Sequence, residues 1–67
     1  MRTYIIVEEG TDHLPTYYVT MEDMSGEPFR FQVRATDKEH ARTKVESGKL
    51  LQGVRVRKIL SVHADPA

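Results

Sequence analysis

The sequence lacks cysteine and tryptophan altogether among its 67 residues. Without cysteine the chain has no disulfides, thiolate metal sites or cysteine nucleophiles, and a reducing cytoplasm is the expected compartment. No apolar run approaches the roughly 20 residues that a membrane span needs, and the N-terminus lacks the charged-then-apolar pattern of a signal peptide. We therefore expect a cytoplasmic chain with no membrane partner.

The length leaves room for one small domain, predicted to span residues 1–67 with a flexible tail at 63–67. A chain of this size buries only about 60% of the surface that its unfolded form exposes, which permits one thin core. A deep cleft between domains is excluded. Hydrophobic residues at 39% and charged residues at 30% are typical of a folded globular protein rather than a disordered one.

The formal charge is +0 because ten basic residues balance ten acidic ones, but their positions are uneven. Residues 1–29 contain one base and six acids, whereas residues 30–67 contain nine bases and four acids. Such a division can create separated positive and negative surface fields that guide a partner.

Residues 29–35 show the clearest strand pattern, because Phe29, Phe31, Val33 and Ala35 alternate with polar residues. In the strand before it, Tyr17, Val19 and Met21 share one face. Similar signals predict the other strands, so that the four lie at about 3–8, 16–22, 29–35 and 54–62. The short loop at residues 23–28 predicts an antiparallel hairpin between the second and third.

The first strand has an ambiguous inward face, since the pairs Tyr4/Ile6 and Ile5/Val7 are both apolar.

The last strand has an ambiguous register. Val54, Val56, Leu60 and Val62 share a parity and are predicted to face the core, but Lys58 falls in the same row. Either Lys58 projects past the core, or a bulge near Arg57 and Lys58 resets the register.

One helix is predicted at residues 37–47, beginning with a capping box formed by Thr36 and Glu39. Ala41 and Val45 form its narrow apolar stripe, so it must pack on the sheet to be stable. Gly48 is expected to end the helix. Leu50 and Leu51 are expected to close one end of the core.

The resulting order is β-β-β-α-β, an α+β domain with a mostly antiparallel sheet and one helix on one face. If the helix makes a right-handed crossover, the fourth strand returns parallel to the third and pairs beside the first, giving the strand order 4-1-2-3. The other face of the sheet stays uncovered, and we expect function there.

Arginine and tyrosine, which are enriched at interface hot spots, are predicted on this uncovered face together with Thr20. The candidate partner-binding residues are Tyr18, Arg30, Gln32, Arg34, Arg55 and Arg57. Three interpretations remain open: a solvated sheet face, a surface for an acidic protein, and a surface for single-stranded nucleic acid.

The acidic residues of the first half form two loop clusters, predicted at opposite ends of the sheet. They are Glu8, Glu9 and Asp12 in one loop and Glu22, Asp23 and Glu27 in the other. Solvated loop charges are the ordinary interpretation, and a negative patch that imitates phosphates is the alternative. Neither cluster has the spacing of a calcium loop, so no metal is expected.

No catalytic residues and no cofactor are predicted. His13, His40 and His63 are too far apart in sequence for a local metal motif, and Asp12-His13 lacks a nucleophile elbow or a cavity. The sequence contains no phosphate-binding glycine loop. We therefore expect a protein that is not an enzyme.

The chain resembles the small bacteriophage host-interaction proteins of the anti-CRISPR type. The resemblance rests on Tyr4-Ile5-Ile6, the alternating strand from Phe31 to Ala35, the capped helix from Thr36 to Gly48, and the strand start from Gly53 to Val56. It implies a non-catalytic inhibitor that docks on a host protein or nucleoprotein complex, often by blocking a nucleic-acid channel. It carries over no individual functional residue.

The expected function is thus that of a small interaction or inhibitor protein that binds a larger protein or nucleoprotein partner through the uncovered face and the acidic loops. Two alternatives remain open: a single-stranded nucleic-acid-binding module, and a structural homodimer whose uncovered faces pack together.

Overall fold

In the part of the chain that the structure describes, four strands and one helix follow one another in the predicted order, which confirms the α+β class. A computed structural model describes residues 1–47 and 56–65. Its elements are β1 (Arg2–Ile5), β2 (Thr16–Asp23), β3 (Pro28–Arg34), α1 (Lys38–Glu46) and β4 (Val56–Ala64). The predictions for Gly48, Leu50, Leu51, Val54 and Arg55 lie outside the described residues.

The strand order is β1-β3-β2-β4, so the predicted order 4-1-2-3 is wrong. β2 pairs antiparallel with both β3 and β4, and β1 pairs parallel with β3. β4 does run parallel to β3, as a right-handed crossover requires, but it lies on the far side of β2.

Aromatic packing and the first loop explain why β1 pairs with β3 instead of β2. The Tyr4 ring contacts the rings of Phe29 and Phe31 edge-on, with centroids 5.9 and 5.5 Å apart. The connection at residues 6–15 crosses the end of β3, where the Ala35 amide donates to the Pro15 carbonyl at 3.0 Å. β1 is thereby placed on the outer side of β3.

The core lies between the sheet and α1, where the sequence pattern predicts it. The fully buried side chains are Val19 and Met21 of β2, Phe29, Phe31 and Val33 of β3, and Ala35, Ala41 and Val45. Tyr4 and Ile6 pack against this cluster, whereas Ile5 and Val7 are exposed. The open question about the first strand is therefore settled in favour of the pair Tyr4/Ile6.

Two bulges set the register of β4. Thr20 and Met21 of β2 lie opposite Ser61 and Ile59, which leaves Leu60 as an extra residue. Within β4, core contact falls on Val56, Ile59 and Val62. Leu60 is 47% exposed, so its predicted place in the core is wrong.

The second bulge lies at Arg57, because Glu22 and Asp23 pair with Lys58 and Val56. Of the two interpretations of Lys58, a side chain that projects past the core or a bulge that resets the register, the structure thus favours the bulge.

β4 also extends into the segment suggested as a tail. His63 and Ala64 pair with Tyr18 and Tyr17. The Asp65 amide donates to the Thr16 carbonyl at 3.0 Å. Pro66 and Ala67 lie outside the described residues.

The helix cap lies one residue later than predicted. Asp37 is the N-cap, and its Oδ1 accepts from the His40 amide at 2.8 Å. His40 Nδ1 in turn accepts from the Thr36 amide at 3.0 Å. His40 therefore performs the reciprocal role that the sequence pattern assigned to Glu39.

Candidate partner-binding face

The sheet face opposite α1 is called the open face here. It consists of the residues of β2 and β3 that alternate with the buried ones, together with the residues of β1 and β4 that pair with them. These are Thr3 and Ile5 of β1; Arg30, Gln32 and Arg34 of β3; Thr16, Tyr18, Thr20 and Glu22 of β2; and Lys58, Ser61 and His63 of β4.

Arg30, Tyr18 and Gln32 meet at the centre of the open face. The Arg30 guanidinium carbon lies 4.6 Å from the centroid of the Tyr18 ring, a cation–π contact. Arg30 Nε donates to Thr3 Oγ1 at 3.0 Å, which fixes the guanidinium from its other side. Three of the six predicted partner-binding residues are thus brought together.

The hydrogen bonds that the Tyr18 hydroxyl makes to other described residues are long. The hydroxyl lies 3.4 Å from Gln32 Oε1 and 3.5 Å from Asp65 Oδ2, whereas such bonds usually measure about 2.7 Å. A better-placed acceptor on a partner would therefore compete for this hydroxyl.

His63 joins this centre, and the sequence did not predict it there. Its ring centroid lies 6.1 Å from that of Tyr18, at an interplanar angle of 43°. Alternation from Val62 puts His63 on the side away from the core, but residues 63–67 were predicted to form a tail, so its pairing with Tyr18 was missed. The bulges of β4 set which residue of β2 it meets, and the spacing of Val56, Ile59 and Val62 is the sequence signal that could have revealed them.

Arg34 has a structural role at the edge of the open face. Its Nη1 donates to the Leu14 carbonyl at 2.9 Å and to the Asp12 carbonyl at 3.2 Å. These bonds hold the first loop across the end of β3. Arg34 still contributes positive charge, but its Nη1 donors are engaged within the chain.

Arg57 lies at the other end of the sheet and is paired. Its Nη1 lies 3.3 Å from Glu22 Oε1, and Lys58 Nζ lies 3.8 Å from Glu22 Oε2. Glu22 therefore offsets the positive charge of this corner. Arg55 lies outside the described residues.

Several acidic residues of the two predicted patches are also paired within the chain. Glu8 Oε1 contacts Lys44 Nζ at 2.9 Å, and Lys44 is only 16% exposed. Asp23 Oδ2 contacts Arg2 Nη2 at 3.2 Å. Of the six acids, Glu9, Asp12 and Glu27 form no ion pair within residues 1–47 and 56–65.

The two clusters do lie at opposite ends of the sheet, as predicted, since one follows β1 and the other joins β2 to β3. Because half of their members have partners, the negative patches are smaller than the sequence implied.

Asp23 organises the turn between β2 and β3. Its Oδ1 accepts from the Ser25 hydroxyl at 2.6 Å and from the amides of Ser25 and Glu27 at 2.9 and 3.0 Å. The Ser25 hydroxyl and then the Glu27 amide lower the pKa of Asp23 below its ordinary value of 3.8. Gly26 completes the turn with a positive φ of 89°. Asp23 thus has a clear structural task.

The described part of the chain holds no group of three or more His, Asp or Glu side chains placed to bind a metal ion. An open groove lies between α1 and β4, lined by residues that include Arg42, Glu46 and Leu60. None of the helices in the described ranges has the length and apolar character to cross a membrane.

Comparison of the chain with protein-family models, with curated proteins and with solved structures finds no match. The functional argument therefore rests on the geometry of the open face and on the charges around it.

Proposed function

We propose that this chain is a small non-enzymatic interaction protein that docks on a larger protein or nucleoprotein complex through the open face. The inhibitor role on a host target, implied by the resemblance to phage anti-CRISPR-type proteins, belongs to the same proposal. The observation that carries it is the Arg30–Tyr18 stack, at the centre of the face that α1 leaves uncovered.

The stack has the properties of an interface hot spot. Arg and Tyr provide large contact areas with directional donors, and hot spots lie at the centre of a binding surface. Arg30 is held by Tyr18 on one side and Thr3 on the other, so it loses little conformational freedom when a partner binds. Thr20 lies opposite Arg30 on β2, and Ser61 lies opposite Thr20 on β4, so two further hydroxyl side chains share this face.

The charge distribution favours an acidic surface on the partner. In the described parts of the chain, no carboxylate lies within ion-pairing distance of Arg30 or Arg34. Glu22, by contrast, is held by Arg57 and Lys58 at one corner. β3 therefore presents two guanidinium groups whose charge a partner's carboxylates would complement.

Single-stranded nucleic acid is a second candidate, favoured by the two neighbouring rings of Tyr18 and His63. Bases can stack on aromatic rings and guanidinium planes while arginines contact phosphates. Arg30 already covers one side of Tyr18, and Glu22 shares the face, so we rank this candidate below a protein partner.

The proposal is tested by capture from lysate of the source cell, or of the host cell if the chain is viral, with three immobilised proteins. They are the unmodified chain, Arg30→Glu, and the matched control Arg42→Glu on the exposed side of α1. We expect a protein that the chain and Arg42→Glu retain, and that Arg30→Glu loses at least tenfold. Equal retention by all three would refute docking through the open face.

Nuclease treatment and oligonucleotide titration separate the two candidates. If the second candidate holds, oligonucleotides shift the amide signals of β2 and β3, and the affinity falls steeply as salt rises. If the first holds, capture survives nuclease and no oligonucleotide shifts these signals at low salt.

A further inference from the structure

Within residues 1–47 and 56–65, β1 forms one edge of the sheet and pairs only with β3. The Ile6 amide donates to the Gln32 carbonyl at 3.0 Å, so the backbone groups of even-numbered residues point toward β3. Because these groups alternate along a strand, the N–H and C=O of Thr3 and Ile5 point away from β3, to the free edge. An unpaired edge of this kind is a template for another strand.

The two edges of the sheet differ in their protection. β4 forms the opposite edge and carries two bulges, together with the charges of Arg57 and Lys58. Bulges and charges are the usual devices that prevent a sheet edge from pairing with another chain. β1 pairs with β3 in an unbroken register and contains neither a bulge nor proline.

Exposed apolar side chains gather beside the unprotected edge. Among the described residues, Met1, Ile5 and Val7 are 74%, 64% and 89% exposed, and Met24 and Leu60 are the remaining large hydrophobics in this class. Met1, Thr3, Ile5 and Val7 share one parity, so they form a row of uncharged side chains along β1 and the residues that flank it on either side.

We propose that the β1 edge pairs antiparallel with β1 of a second copy of this chain, about a two-fold axis at Tyr4. Thr3 then lies opposite Ile5 of the second copy, and each such pair exchanges two backbone hydrogen bonds through the groups that face the free edge. Met1 lies opposite Val7 of the second copy, so the exposed apolar side chains cover one another. This inference does not rest on the proposed function.

Side-chain chemistry selects a second copy as the occupant. A strand that fits this edge must present an uncharged, partly apolar row in antiparallel alignment, and β1 presents such a row itself. The charged side chains flanking the axis, Arg2 and Glu8, have opposite signs and come to diagonal positions in the pair, so no like charges meet.

Pairing at β1 joins the two sheets into one of eight strands and leaves both open faces free. The two Arg30–Tyr18 stacks then lie on one continuous surface, which can engage a repeated partner with increased avidity. The contact involves about seven residues of each copy, which is small for an interface, so we expect a dissociation constant on the order of 100 µM.

Disulfide cross-linking tests the register directly, because the chain has no cysteine of its own. Thr3→Cys and Ile5→Cys proteins are mixed in equal amounts and oxidised, with Thr43→Cys on the exposed side of α1 as the control for random collision. Hydrogen-bonded antiparallel pairs have Cα atoms about 5.5 Å apart, within disulfide range. We expect the mixed 3–5 disulfide to form at least tenfold faster than the control product.

A mixed disulfide that forms no faster than the Thr43→Cys product overturns the proposal. Homodisulfides of Thr3→Cys or Ile5→Cys in excess over the mixed product overturn the proposed register.

Sedimentation from about 10 µM to 1 mM provides the second test, over a range that brackets the expected dissociation constant. Thr3→Pro removes an N–H that faces the free edge and costs no backbone hydrogen bond to β3, whereas Thr3→Val keeps that N–H. Both variants lose the Thr3 hydroxyl that accepts from Arg30 Nε, so Thr3→Val controls for this loss. We expect dimers of the unmodified chain and of Thr3→Val, and monomers of Thr3→Pro.

Ile5→Lys, which places a charge in the paired row, provides a second disruptive variant if Thr3→Pro fails to fold. A strict monomer at 1 mM for the unmodified chain contradicts the inference, as does unchanged dimerisation of a folded Thr3→Pro or Ile5→Lys protein. The oligomeric state of the unmodified chain is read independently of capture through Arg30, so failure of this inference and failure of the proposed function are distinguishable.

Discussion

The Arg30 guanidinium lies over the Tyr18 ring, with its central carbon 4.6 Å from the ring centroid. The two residues sit on adjacent strands, β3 and β2, on the face opposite the helix. Their contact places a positive charge at the centre of a surface whose outer charges are largely paired. This position distinguishes Arg30 from Arg34 and Arg57, whose side chains are engaged by the first loop and by Glu22.

The bulged register of β4 predicts unequal roles for two neighbouring side chains. Ile59→Ala should lower the free energy of unfolding by about 1–2 kcal/mol, since Ile59 is half-buried against the core. Leu60→Ala should change it by less than about 0.5 kcal/mol because Leu60 is largely exposed. Urea unfolding of both variants measures the difference. A larger loss for Leu60→Ala would mean that unbroken alternation describes β4 better.

The cap of α1 predicts that Asp37 matters more than Glu39. Asp37→Ala should cost about 1 kcal/mol of stability, because it removes the acceptor for the His40 amide. Glu39→Ala should cost only a few tenths of a kcal/mol of stability, because it removes a negative charge that interacts favourably with the helix dipole. Thermal unfolding at neutral pH compares them. Equal losses of stability in the two variants would instead support the predicted capping box formed by Thr36 and Glu39.

Arg34 should act mainly on the first loop. Arg34→Ala removes two charge-assisted bonds to backbone carbonyls and should cost about 1–2 kcal/mol. The Leu14 amide donates to the Thr11 carbonyl, and the Ala35 amide donates to the Pro15 carbonyl. Hydrogen exchange at both amides should therefore accelerate. Arg30→Ala serves as the control and should leave exchange at both sites unchanged. Similar exchange in the two variants would argue against an anchoring role for Arg34.

Asp23 should make stability depend on acid pH. A native pKa below the ordinary 3.8 means that the charged carboxylate stabilises the fold above that value. This contribution is lost as pH falls from about 3.8 through the native pKa. The difference in stability between the unmodified chain and Asp23→Asn should thus be constant above about pH 5 and shrink below it. Urea unfolding across this range checks the sign, and a difference that grows in acid contradicts it.

Local patterns in the sequence predicted the parts of the fold that depend on neighbouring residues. The alternation of Phe29, Phe31 and Val33 identified β3 and its buried face, and Ala41 and Val45 identified the inner side of α1. These signals work because burial on one face repeats with the period of the element.

Features set by long-range packing could not be predicted in this way. The position of β1 depends on Tyr4 meeting Phe29 and Phe31, and on the first loop crossing β3. The two bulges of β4 set which residues of the strand lie opposite β2, and in this register His63 lies beside Tyr18.

The candidate site was predictable to the same extent. Tyr18, Arg30 and Gln32 follow from strand parity and do come together. The engagement of Arg34 and Arg57 depends on a loop and on cross-strand pairing, respectively. The same applies to the acids, since Glu8 reaches Lys44 only after α1 has packed on the sheet.

Site-directed photo-cross-linking in the source cell, or in the host cell if the chain is viral, tests the central claim most directly. A photoreactive residue is placed either at Thr20, beside Arg30 on the open face, or at Thr43 on the exposed side of α1. We predict a specific cross-linked protein from position 20, its loss when Arg30→Glu is added, and no such product from position 43. A specific product from position 43 alone, or one from position 20 that persists with Arg30→Glu, would contradict docking through the open face.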